Sequence, residues 1–319
     1  MRASAPTLDQ VRILFAGTPD VALPSLRAIT DAGHEVVAVL TRPDAPAGRG
    51  KKLTCSPVAQ LAAELGLPSI KATRADDELR ALVTALRPEV AAVVAFGILL
   101  PQSLLDAVPG GWINLHFSLL PRWRGAAPVQ RAILAGDACT GATTFRIVQE
   151  LDAGPIYRRL TVPIEEHETS GQLLGRLAEL GAGLLLNSLS DIEAGRQPSP
   201  QPTDGITLAP KIHPNDVRID WTSNHEQIDR LVRAANPVPG AWTMLAGERF
   251  QVLRVGPSQR QPALAPGELA ADRRSVWVGT GSTNLELLEV KAFGRKPMSG
   301  ADWARGRQGG LERGLCFHG

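Results

Sequence analysis

The sequence predicts an α/β protein, a doubly wound layer over residues 12–190 followed by a smaller β-barrel domain over 206–319. Two observations predict it. Between Arg12 and Leu189, short β-branched runs alternate with segments of helical apolar spacing, the pattern of βαβ units around a parallel sheet. Beyond Glu193, short β-rich runs are broken by glycine and proline at close intervals, the texture of a small barrel.

In chain order, Arg12–Ala16 (RILFA) is an apolar run stopped by Gly17 and reads as a buried strand. Thr18-Pro19-Asp20 offers helix-starting chemistry, and Leu23, Leu26 and Ile29 form the apolar face that follows. After Gly33 comes a second strand, Glu35–Leu40, and then a polar, basic, glycine-rich loop from Thr41 to Thr54. A helix after Pro57 buries Val58, Leu61, Ala62 and Leu65. Further strands are predicted near Pro68–Ile70, at Val90–Ala95 and at Trp112–Leu115, with helices over Asp76–Leu86 and Pro128–Ala135. Ala142–Val148 and Pro155–Val162 are extended and suit a hairpin at the far edge, and a long helix, Ser170–Leu189, closes the layer. Residues 191–205 are rich in proline and polar residues and predict a stiff linker, while residues 1–11 form an N-terminal extension. In the second domain a helix over Asn224–Ala234 precedes strands at Phe250–Val255, Ser275–Val278 and Leu285–Val290.

Composition narrows the function classes. The 319-residue chain has a net charge of +2, and its three cysteines, at 55, 139 and 316, form neither a disulfide framework nor a zinc or redox pair. The longest apolar run, Val90–Leu100, is too short to span a bilayer, and the first ten residues lack the apolar stretch of a signal peptide. A cytoplasmic location with no membrane contact is expected. The six histidines show no metal-ligand spacing, so no metal is expected. The charge divides unevenly: residues 1–205 hold 19 basic and 21 acidic side chains, a net of −2, leaving 15 basic and 11 acidic beyond them, a net of +4. The whole chain is too nearly neutral to grip nucleic acid by bulk charge, but its second domain is mildly basic.

The turn after the first strand, Ala16-Gly17-Thr18-Pro19-Asp20-Val21, lacks the later glycines of a dinucleotide fingerprint. More informative is Asn114–Pro128 (NLHFSLLPRWRGAAP). Asn114 and His116 lie two apart in a strand and face the same way, at the carboxyl end where open α/β sheets bind ligands. An amide and an imidazole side by side can polarise a carbonyl oxygen as it gains charge. Asp152, opening a turn between two extended runs, is the candidate to take a proton from an attacking group. Taken singly, each residue also has a plain structural reading: a strand-end amide, a buried histidine, a turn-forming aspartate.

Taken together these segments are similar to the 10-formyltetrahydrofolate-dependent formyltransferase family, and within it to the branch that formylates methionyl-tRNA. The resemblance rests on Phe15–Asp20, Pro46-Ala47-Gly48-Arg49-Gly50-Lys51-Lys52-Leu53, Ser118–Pro128, Leu151-Asp152-Ala153-Gly154, Arg218-Ile219-Asp220-Trp221 and Arg233–Pro237. It implies a Rossmann-like catalytic domain and an OB-like C-terminal domain that helps to hold tRNA. It also implies that the amino group of methionyl initiator tRNA attacks the formyl carbon of 10-formyltetrahydrofolate. Asn114 and His116 would then stabilise the oxyanion, while Asp152 holds His116 and relays a proton through water. Ser118, Leu119, Leu120 and Pro121 would line the folate site, with Phe96, Gly97 and Ile98 around the pterin; Phe96 and Ile98 suit core packing equally well. Arg42, Arg49, Lys51 and Lys52 would meet the tRNA acceptor end. Two positions depart from the family pattern: Ala45 replaces an arginine, for which Arg42 can substitute, and Phe117 replaces a glycine and is expected to pack behind the site. A monomer is expected, since no coiled-coil segment is present. A related formyltransferase acting on a small amine, a ribonucleotide or an amino sugar, and a non-catalytic nucleotide- or RNA-binding protein are the competing readings.

Overall fold

The computed structural model describes residues 10–47, 50, 52–258, 264–307 and 315–318. They form two compact units. The first comprises the chain up to Gly125, 139–163 and 174–208; the second comprises 126–138, 164–173 and the chain from Ala209 on.

The first unit is built on strands β1 (Arg12–Gly17), β2 (Glu35–Thr41), β5 (Ser69–Lys71), β6 (Val90–Val94), β7 (Trp112–His116), β8 (Cys139–Arg146) and β9 (Ile156–Pro163), in the order β5-β2-β1-β6-β7-β8-β9. The first five run parallel, and β8 and β9 are antiparallel to their neighbours. This is the expected α/β layer with its far-edge hairpin. A short hairpin, β3 (Ala45–Ala47) with β4 (Lys52–Thr54), occupies the loop after β2. Leu14, Ala16, Leu40, Val83, Ala91, Leu104 and Trp112 are the buried centre of one face, drawn from strands, from α3 (Asp77–Leu86), which follows α1 (Leu23–Asp31) and α2 (Pro57–Glu64) in the chain, and from the short helix that holds Leu104. The helix ends follow the sequence: Ser56 and Asp76 accept backbone N–H groups at the starts of α2 and α3.

The chain order reverses at β1, whose other neighbour is β6, so the carboxyl ends of β1, β6 and β7 border a topological switch point. Gly17 is opposite Val94, and Val93 is opposite Asn114. The Thr18 hydroxyl donates to the Phe96 carbonyl at 3.2 Å and ties these strand ends together.

The second unit carries an antiparallel sheet of β10 (Trp242–Leu245), β11 (Glu248–Pro257), β14 (Leu285–Lys291), β13 (Val276–Val278) and β12 (Leu269–Ala271), with β15 (Met298–Ser299) paired to β14. Its path ends at β10 and β12, and residues 315–318 join both ends. Met244 and His318 exchange N–H···O bonds of 3.1 and 3.0 Å, Phe317 N donates to Gly267 O at 2.8 Å, and Leu269 N donates to Leu315 O at 3.0 Å. The core holds Val217, Ile219, Trp221, Phe250, Val252, Val276, Leu287, Trp303 and Phe317.

A single cut at 191–205 does not describe this division. In chain order α4 (Gln102–Leu105) and α5 (Pro128–Ala135) precede α6 (Ser170–Glu193), α7 (His225–Ala235) and α8 (Gly300–Arg305). Ala127 and Leu134 pack into the second core, Ala127 N donates to Ala209 O, and Ser170 Oγ and Gly171 N both donate to Asn236 O. Segments 126–138 and 164–173 therefore complete the second unit. An apolar pattern tells which face of a helix is buried, and not which core receives it.

Candidate active site

Asn114 and His116 stand on one face of β7, opposite Phe145 and Thr143 of β8. His116 is 6% exposed, while Asn114 is half-buried. Its amide is unpartnered among the described residues, so both N–H groups are available to an incoming oxygen. The His116 ring has an acceptor at each nitrogen. Nε2 lies 2.8 Å from the Trp123 carbonyl, and Nδ1 lies 3.7 Å from Asp152 Oδ2. A carbonyl can only accept, so Nε2 carries the proton of the neutral ring and Nδ1 presents a lone pair toward the carboxylate. A proton arriving at Nδ1 completes an imidazolium whose two N–H groups both face acceptors. The same Asp152 oxygen accepts Gly125 N at 2.8 Å.

Two non-glycine residues here lie in the left-handed region, Trp123 at φ 63° and Asp152 at φ 49°. Each costs roughly 1–2 kcal/mol and persists only where its surroundings fix it. In return Trp123 turns its carbonyl to His116, and Asp152 turns its carboxylate to the same ring. Gly154 follows because a Cβ there would stand 1.7 Å from the Arg146 carbonyl.

The segment that composition reads as a spacer lies against these turns. Ser199 exchanges backbone hydrogen bonds with Ile156, and Gln201 Nε2 donates to the carbonyls of Asp152 (2.7 Å) and Gly154 (2.8 Å). Gln201 Oε1 accepts Arg124 Nη2 at 2.8 Å, and Arg124 Nη1 reaches Glu150 at 3.0 Å. Thr207 Oγ1 accepts Trp123 N at 2.8 Å. Sequence reading missed Arg124, Gln201 and Thr207, since one amide between prolines carries no sequence signal.

The residues expected to line the folate site divide by burial. Ser118 is buried, its hydroxyl donating to Arg122 O at 2.6 Å, and Leu120 is buried; Leu119 and Pro121 are partly exposed. Phe96 is 3% exposed and, with Ile98, packs into the core of the first unit. Core packing, which the sequence allows for Phe96 and Ile98 as readily as a pterin contact, is what both side chains do here. Ala95, Gly97 at φ 77° and Leu99, 83% exposed, form the accessible surface of that loop. Phe117 is buried, as its alternation away from His116 predicted.

Of the basic loop residues, Arg49 and Lys51 lie outside the described residues. Lys52 is exposed on β4, and Arg42 donates to the Thr73 carbonyl at 2.6 Å. At the base of this hairpin Lys71 pairs with Asp44 at 2.6 Å; that hydrogen bond holds the Asp44 carboxyl below the usual carboxylate range and raises Lys71. Among the described residues no group of three or more His, Cys, Asp or Glu is placed to hold a metal, and no helix is long and apolar enough to cross a membrane.

Comparison with known proteins places residues 10–189 in a match to the family described as formyl transferase, and 211–308 in a match to formyl transferase, C-terminal domain. The chain is 53% identical over 305 residues to a methionyl-tRNA formyltransferase of Cutibacterium acnes, covering 93% of this chain and 97% of that one. It is 52% identical over 316 residues to the enzyme of that name from a Nocardioides species, covering 96% and 99%. Among solved structures, Aquifex aeolicus HypX in complex with tetrahydrofolic acid superposes with a TM-score of 0.68 at 19% identity, over 92% of this chain and 47% of that one. An N-formyltransferase from Helicobacter canadensis in complex with folinic acid and dTDP-3-aminofucose gives 0.64 at 16% identity, over 89% and 100%. These two likenesses concern the fold.

Proposed function

The chain belongs to the formyl transferase family, and from that premise we propose that it transfers the formyl group of 10-formyltetrahydrofolate to the amino group of methionyl initiator tRNA, the step that prepares this tRNA for translation initiation. The observation that carries the chemistry is the arrangement of Asn114 and His116 on one strand face with Asp152 at 3.7 Å from the ring.

In this reading the unpartnered Asn114 amide donates to the formyl oxygen as it becomes an oxyanion. His116, charged once Nδ1 gains a proton, stabilises the same oxygen, and Asp152 holds that charge in place. The attacking amine gives up one proton, which Asp152 and His116 relay through water, and the departing folate nitrogen takes one up as its bond to the formyl carbon breaks. No covalent enzyme intermediate is needed. Ser118, Leu119, Leu120 and Pro121, with Phe96, Gly97 and Ile98, border the folate subsite. The partly exposed Leu119 and Pro121 and the open backbone at Gly97 suit a flat apolar ring with polar edges. Arg42, Arg49, Lys51 and Lys52 meet the acceptor end of the tRNA. The sheet of the first unit, within 12–190, carries the catalytic site, and the chain from Ala209 on, completed by 126–138 and 164–173, is the tRNA-binding unit of a monomer acting in the cytoplasm. Formylation of a small amine, as in the sugar enzyme, has less support, because the relatives that share half the sequence over nearly its whole length carry the methionyl-tRNA name.

Incubating the purified chain with charged initiator tRNA and 10-formyltetrahydrofolate should yield formylmethionyl-tRNA. Asn114→Ala and Asp152→Ala should each lower kcat by about 10²–10³-fold while the protein stays folded. Near-parental turnover by Asp152→Ala would remove Asp152 from the reaction.

A further inference from the structure

We propose that residues 199–208 are part of the catalytic apparatus, with Gln201 and Thr207 as positioning residues for His116 and Asp152. This rests on the assignment of those two residues to formyl transfer. The His116 ring is held at Nε2 by the Trp123 carbonyl, and the Asp152 carboxylate stands 3.7 Å from Nδ1, placed to meet the proton that this nitrogen gains. Both are borne by residues in the left-handed backbone region, and both are held by the same segment from outside.

Gln201 uses its whole amide. Nε2 donates to the carbonyls of Asp152 and Gly154, at 2.7 and 2.8 Å, bracketing the turn on both sides of Ala153. Oε1 accepts two N–H groups of Arg124, Nη2 at 2.8 Å and Nε at 3.2 Å. Arg124 is buried, and the next residue, Gly125, donates its N–H to the Asp152 carboxylate. One side chain thus fixes the Asp152 backbone directly and the donor to the Asp152 carboxylate through Arg124. Thr207 does the corresponding work for the other acceptor. Its Oγ1 takes the Trp123 N–H at 2.8 Å, and its carbonyl takes Arg124 N at 2.9 Å. The backbone exchange between Ser199 and Ile156 anchors the start of the segment to β9.

Only an amide suits position 201, because it must accept on one side and donate to two carbonyls on the other. A carboxylate of equal size could keep Arg124, but it would face both carbonyls with a lone pair. A shift of a few tenths of an ångström at either acceptor turns the imidazole, and small displacements of a catalytic group cost large factors in rate.

The test is steady-state formylation of charged initiator tRNA by the full chain and its variants, with folding checked by circular dichroism. Gln201→Ala should lower kcat by about 10²-fold, and Thr207→Val by about tenfold, with KM for both substrates nearly unchanged. Gln201→Glu should show a pH signature: its kcat relative to the parent at the same pH rises as pH falls through the glutamic acid range. There the protonated carboxyl regains a donor toward the Asp152 and Gly154 carbonyls. The charged groups around that site are Arg124, Glu150, Asp152 and His116, all shared with the parent, so the ratio isolates residue 201. Parental kcat in Gln201→Ala and Thr207→Val overturns the proposal. So does a loss confined to KM for tRNA, which would make the segment an RNA-binding surface. If Gln201→Ala fails to fold, the Gln201→Glu ratio decides alone, and a pH-independent ratio overturns the proposal. Asp152→Ala, measured alongside, separates the two levels: if it is inactive while the segment variants work, only this inference falls, whereas activity in Asp152→Ala removes the reading beneath it.

Discussion

His34 shows what an imidazole does when it has no role to offset its burial. It precedes β2, is 6% exposed, and neither ring nitrogen has a hydrogen-bond partner among the described residues. Burial pushes its pKa below the ordinary 6.5, and Glu193 opposes this only in part. The unfolded chain therefore holds more protons than the folded one between that lowered value and 6.5. Stability is intact above that window and falls as pH drops through it. Tm measured at about pH 7.5 and about pH 5.5 should fall more in the parent than in His34→Phe, which cannot charge. Equal falls in the two proteins would mean that His34 is not the titrating group. The contrast with His116 is instructive, because there two acceptors await the charged ring. At this scale much of the site was legible: strand alternation put Asn114 beside His116, and Asp152 stood out as the acid of a turn. The Trp123 carbonyl and Gln201 were not legible, since a backbone oxygen has no residue identity and one amide among prolines has no periodicity.

Elements with a strong period were read nearly as they fold. α5 was expected over Pro128–Ala135 and occupies those residues, and α7 begins one residue later than expected because Asn224 serves as its cap. The elements that escaped are short: the β3–β4 hairpin, α4, β10, β12, β15 and α8 among them. Short runs within glycine-rich sequence carry too little alternation to distinguish strand from loop, and their pairing supplies what their propensity lacks. The β3–β4 hairpin matters most, because it carries the exposed Lys52. Its base is anchored by Asp44 and Lys71, which leaves Lys52 exposed toward solvent. Lys51→Glu with Lys52→Glu should weaken binding of initiator tRNA and flatten the dependence of log Kd on log salt by about one unit for each phosphate no longer neutralised, without changing folate affinity. An unchanged tRNA affinity at fixed salt would exclude the hairpin from the RNA-binding surface.

At the scale of the whole chain, sequence order and structural membership part company. The linker read from composition runs into a segment that fastens the Asp152 turn, and 126–138 and 164–173 complete a unit whose sheet lies entirely beyond residue 241. A fragment ending at residue 205 consequently exposes Ala127 and Leu134 and lacks Thr207. It should melt without a sharp transition in circular dichroism, where the full chain melts cooperatively. A cooperative transition in that fragment would show the first unit to be independent of everything after the cut. The charge count gains meaning from the same division into parts: a near-neutral total covers a small basic surplus beyond residue 205 and the basic sequence run Arg49-Gly50-Lys51-Lys52. Such modest charge suits an enzyme that releases its tRNA after each turnover.

Residues 315–318 follow in sequence every strand they join. On a growing chain, therefore, Met244 of β10 and the stretch before β12 wait without these partners until residues 315–318 have been made. A copy that stalls or is clipped ahead of Leu315 leaves backbone groups of Met244, Gly267 and Leu269 unpaired at both ends of the sheet, and these mark it before any substrate is met.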